Sequence, residues 1–142
     1  MHPLILFLAL TLPTSTCLQG ASPAQLETLR NQYTELRDSA AEKEAPAVKE
    51  DAEKAIATLD RETTFRTNIA LPLCQAEWGI QQAKEAIREE KSNPAGVVNL
   101  HTLHITGEAL RYFTRVYRGL LPVYAKYRHH AYQGSETEGV CR

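Results

Sequence analysis

His101, His104 and Glu108 are the one set of side chains in these 142 residues whose types and spacing suit a metal ion. On a helix of 3.6 residues per turn they share an arc of about 60°. Two imidazoles and a carboxylate make a reasonable zinc or copper set. The same projection sets Arg111 and Arg115 beside them, and two guanidinium groups next to a cation site oppose metal binding. A solvated face with His104–Glu108 and Glu108–Arg111 pairs is therefore the preferred reading. A periplasmic metal-binding protein built on His101, His104 and Glu108 is the weaker alternative.

Three cysteines carry the remaining reactive chemistry: Cys17, Cys74 and Cys141. Cys74 follows Pro72 near an expected helix start, where a thiol pKa can fall and a nucleophile can arise. Pairing with Cys141 is the more economical use in an oxidising compartment. The remaining catalytic signatures are absent. The sequence has no H-E-x-x-H, G-x-S-x-G, C-x-x-C-H or phosphate-binding glycine loop, and its one methionine is Met1, which speaks against metalloprotease, serine hydrolase, haem and nucleotide chemistry. A binding or structural protein, not an enzyme, is expected.

The compartment follows from the first twenty residues. Leu4–Leu12 is a nine-residue apolar run, the length of a signal-peptide core and well short of a bilayer span. Its basic flank is thin, Met1-His2 alone, so the α-amino group supplies most of the positive charge. Residues 1–20 are expected to be a signal peptide cut between about Cys17 and Ala21, and the protein to be exported, periplasmic or extracellular. Lipidation of Cys17 is a weaker possibility, because Thr14 and Thr16 stand where a lipoprotein site prefers Leu and a small residue. Either route leaves Cys74 and Cys141 as the pair inside the fold.

A basic row is the other candidate site. The net charge of −1 implies no bulk attraction to nucleic acid or membrane, but the distribution is uneven. Ser22–Glu62 holds ten acidic residues against six basic, and Val97–Tyr132 holds five basic against one acidic. Projected on a helix, Ile105, Ala109, Tyr112, Phe113, Val116, Tyr117, Leu120, Leu121, Val123, Tyr124 and Tyr127 fill an arc of about 180°. Arg111, Arg115, Arg118 and Lys126 occupy the opposite arc. The tyrosines, falling with the aliphatic residues, are expected in the core. So wide an apolar arc implies a helix in contact with two others. The basic row is expected to face another protein or an acidic surface, with membrane contact only through lipidation or this last helix.

The elements that must position these residues are helical throughout. Ser22-Pro23-Ala24-Gln25 combines an N-cap Ser, a proline at the first helical position and a Gln closing a capping box. Leu26, Leu29, Tyr33, Leu36 and Ala40 then run at spacings of three and four, as do Val48, Ala52, Ala55 and Leu59 beyond Pro46. Stepping through Glu44 keeps the two stripes in phase, so one long kinked helix and two helices joined at Ala45-Pro46 are equally open. Asn68 is expected to cap the next helix, with Pro72 in its first turn and Leu73, Ala76, Ile80, Ala83 and Ile87 as its stripe. Ser92-Asn93-Pro94 signals the last helix, running from about Val97 toward Tyr132 and kinked near Pro122 on its polar arc. No alternating run or Asn-Gly pair suggests a strand.

The expected fold is therefore all-α: an antiparallel bundle of three or four helices over residues 21–132, with a flexible tail, 133–142, carrying Cys141. A helix rising about 25 Å from Cys74 to Lys91, at about 1.5 Å per residue, is matched by a longer returning helix. A ten-residue tail reaches back by up to about 30 Å, which brings Cys141 within range of Cys74.

Overall fold

A computed structural model of the chain describes residues 18–134 and residue 141. The expected leader through Cys17, including the lipidation candidate Cys17 itself, lies outside the described residues. What is described is all-α: α1 (Pro23–Glu42), α2 (Pro46–Phe65), a π-helical turn (Arg66–Ala70), α3 (Leu71–Lys91) and α4 (Leu100–Arg128). The chain divides into two compact units, residues 1–66 and 67–142. Each is built on an antiparallel helical hairpin, α1 with α2 and α3 with α4.

The first hairpin begins as its capping residues dictate. Ser22 Oγ accepts from the Gln25 amide at 3.1 Å, and the Ser22 amide donates to Gln25 Oε1 at 2.7 Å. Pro23 occupies the first turn, where its missing N–H leaves nothing unsatisfied. The two apolar stripes meet along the hairpin: Leu26, Tyr33 and Leu36 from α1 against Ala52, Ala55, Ile56 and Leu59 from α2. Leu18, ahead of α1, completes this core, and Leu29 and Val48 pack at its edge. Alanine on one side of the seam and leucine or tyrosine on the other lets the helices approach closely. Arg30 and Asp60 bridge the pair by a two-pronged contact of 2.8 and 3.2 Å. Being half exposed, that bridge fixes register more than it stabilises.

Of the two readings at Pro46, two separate helices is the one realised. α1 ends at Glu42, and Glu44 turns the chain with φ of 53°. A left-handed residue is the usual device for leaving a helix, and Gly or Asn normally supplies it at least cost. Here a glutamate does so, which explains why Glu44 was the one polar residue to interrupt the apolar register.

Asn68 is not a helix cap. It lies inside the π-helical turn, and Ala70, in helical conformation with no side-chain cap, precedes α3. The reason lies four residues on, because Pro72 has no N–H to give the Asn68 carbonyl and its ring crowds that carbonyl. Widening the turn to π spacing accommodates the ring without ending the helix. In the second hairpin Leu73, Ala76 and Ala83 are buried as their spacing predicts. Gly79 shares that face, and a Cβ built there would stand 2.7 Å from the Phe113 ring of α4. The glycine is thus what allows α3 and α4 to pack at this separation. α4 starts three residues later than expected: Asn99 caps it through the Thr102 amide at 3.0 Å, while Asn93 serves the loop, binding the Ala95 amide at 3.0 Å. Pro122 lies inside α4 and is exposed.

Gly79→Ala should lower the stability of the second unit by roughly 1–3 kcal/mol through overpacking, although Ala is the better helix former. Denaturant titration in a Phe113→Leu background should find the same substitution near neutral. In the first unit, Tyr33 is 1% exposed, and burial holds its phenol above the usual value of 10.0. The folded state then keeps a proton that the unfolded chain releases, so stability must fall as pH rises above about 10. Denaturant midpoints compared between about pH 8 and pH 11 should show this decline, and Tyr33→Phe should flatten it.

Candidate functional site

The site is built on α4, whose 29 residues run from the Asn99 cap to His129. His129 adopts the left-handed conformation, φ 65°, and its amide closes on the Ala125 carbonyl at 2.8 Å. Lys126 and Arg128 stand in the last turn, where positive charge complements the helix dipole. One face of α4 turns toward α3. Tyr124 and Arg128 are buried at 1% and 2% exposure, and the Arg128 guanidinium sits 5.5 Å from the Tyr127 ring centre.

The opposite face is basic and open. Arg111, Arg115, Arg118 and Lys126 are all exposed, as the projection predicts. Arg111 hydrogen-bonds Glu108 one turn earlier. That bond, with the Arg111 charge and lesser contributions from His104 and Arg115, holds the Glu108 carboxyl below the usual carboxylate range. Arg115, Arg118 and Lys126 make no hydrogen bond or ion pair among the described residues.

The apolar arc is not wholly core. Ile105, Tyr112 and Val123 are 53%, 59% and 45% exposed, whereas Phe113, Val116 and Tyr117 are half-buried. The two-neighbour expectation therefore fails at this edge: within its unit α4 has α3 as its helical partner, and one partner covers only part of a 180° arc. At about 100° per residue, Ile105, Tyr112 and Val123 form a strip beside Arg115 and Lys126. The only signal of this in the sequence is their place at the margin of the apolar arc.

The remaining tyrosines close the end of the hairpin. Tyr132, beyond α4, packs edge-on against Tyr124 at 5.1 Å and Tyr117 at 6.4 Å. Burial and the Glu77 carboxylate push the Tyr117 phenol up. At the same end Cys74, in the first turn of α3, and Cys141 stand with Cα atoms 5.8 Å apart, at disulfide distance and paired. Cys141 thus lies within the reach expected of the tail.

His101, His104 and Glu108 are not brought together as a metal-binding group. Both histidines are exposed, the Glu108 carboxylate is engaged by Arg111, and no group of three His, Cys, Asp or Glu side chains converges among the described residues. No described helix is long and apolar enough to cross a membrane. Compared with protein-family models, with curated proteins and with solved structures, the chain finds no match in any of the three.

Cys74→Ser should destabilise the second unit by about 4 kcal/mol, the chain-entropy value for a loop of this length. Cys141→Ser and reduction of the unsubstituted protein should cost the same in denaturant titrations. The double variant should cost no more than either single one.

Proposed function

We propose that this is an exported, disulfide-stapled helical protein that acts by binding an acidic protein partner through the outer face of α4, and that it performs no catalysis. The observation that carries this reading is the conjunction on one helix face of unpaired cations, Arg115, Arg118 and Lys126, with exposed Ile105, Tyr112 and Val123. Cations at the rim accelerate and orient encounter. Exposed aromatic and aliphatic side chains beside them supply the area that a partner buries. Neither feature serves a hairpin that already has its core. Export rests on the apolar leader and on the cysteine pair, which suits an oxidising compartment.

A second reading uses the same strip on an anionic membrane surface, since basic residues beside apolar ones also suit that interface. Much of the α4 apolar face is buried or half-buried, including Tyr124 at 1% exposure, which leaves little to insert among lipids. The protein partner is therefore preferred.

Arg115→Glu combined with Arg118→Glu should weaken partner recovery from the native host about tenfold or more, since like charges at an interface are strongly opposed. The thermal midpoint should stay within about 2 °C, because exposed unpaired charges contribute little to folding. A collapsed midpoint would assign these residues to the fold. Binding to anionic vesicles that the double variant abolishes would move the assignment to the membrane surface.

A further inference from the structure

The segment just ahead of α1 is held as part of the folded first unit. Leu18 is 3% exposed and belongs to the core that α1 and α2 share. Three carbonyls of this segment are gripped by one side chain from the end of α2. Arg66 Nη1 donates to the Ala21 carbonyl at 2.6 Å, and Nη2 to the carbonyls of Leu18 at 2.8 Å and Gln19 at 3.3 Å. The third guanidinium nitrogen, Nε, faces the Glu62 carboxylate at 3.4 Å, and the Glu62 side chain is wholly buried. A buried carboxylate favours a cation beside it, and this pairing helps to hold Arg66 against the segment. The planar Arg66 fork presents donors that the three backbone carbonyls of this segment accept. The Ala21 amide returning to the Leu18 carbonyl at 3.0 Å closes the segment into a turn.

From this we infer a processing site: the leader is cut on the N-terminal side of Leu18, and Leu18–Ala21 remains as the anchored N-terminus of the mature chain. The inference rests on the export reading proposed above and narrows it. Cuts after Leu18, Gln19, Gly20 or Ala21, all within the range the sequence leaves open, would remove a core leucine and strip Arg66 of acceptors. Ser15 and Cys17 are small residues spaced as a signal peptidase requires for a cut before Leu18. A cut before Cys17 would leave the same anchor intact.

The full chain expressed in an exporting host, with the mature species read by intact mass, tests this. A first residue of Leu18 or Cys17, with or without a lipid increment, is expected. A first residue from Gln19 to Ser22 would overturn the cut site while leaving export standing. Retention of Met1 would overturn both. A second measurement reads the anchor directly on the exported protein. Under aminopeptidase the unsubstituted chain should keep Leu18–Ala21. Arg66→Lys keeps the charge for Glu62 but lacks the fork, and should be trimmed at least tenfold faster with its helical circular dichroism unchanged. Equal trimming of both proteins would overturn the anchor.

Discussion

Two helices joined by a turn at one end must be held together at the other, and both units of this chain meet that constraint with a segment outside the helices. In the first, the turn lies at residues 43–45, and the open end is closed by Arg66, Glu62 and the Leu18–Ala21 turn. In the second, the loop spans residues 92–99, and the open end is closed by Tyr132 against Tyr117 and Tyr124 and by Cys74 with Cys141. A hairpin buries one stripe per helix, and a core that small is marginal unless its ends are tied. The closures differ in chemistry: one is a charge network reading backbone carbonyls, the other aromatic packing with a covalent tie. They answer the same deficit.

The stripes that define the hairpins were legible because a period of 3.6 records which positions are buried. Leu26, Tyr33, Leu36, Ala52, Ala55 and Leu59, and in the second unit Leu73, Ala76 and Ala83, are in the cores as spacing predicts. The Ser22 capping box was equally legible, since both of its bonds are local. Glu44 was not read as a turn. Its left-handed backbone is imposed by hairpin packing, and a glutamate carries no local signal for that conformation. Asn68 was misread because a capping residue three or four places before a proline resembles a helix start. The alternative, a π-helical bypass of the proline, leaves no mark in composition.

The candidate site was half legible. The basic row of α4 follows from projection and holds in the structure. That Ile105, Tyr112 and Val123 are uncovered could not be read, because periodicity states that a face is apolar and not what lies against it. The Arg66 grip on Leu18 spans 48 positions. No spacing rule links an arginine at the end of one helix to three carbonyls ahead of another. What the sequence did contain was the cysteine pair, because redox compartment and chain reach together left few choices.

The pairing of Cys74 with Cys141 also changes what a broken backbone would mean. The two residues are 67 positions apart and enclose nearly all of the second unit, α4 and the loop before it included. That loop is exposed along its whole length, the kind of segment where proteases act first. A cut there would open a ring without releasing a fragment, leaving α3 and α4 tethered and still packed through Gly79 and Phe113. The covalent tie therefore confers endurance against cleavage as well as folding stability. The unit can lose its chain continuity and keep its face.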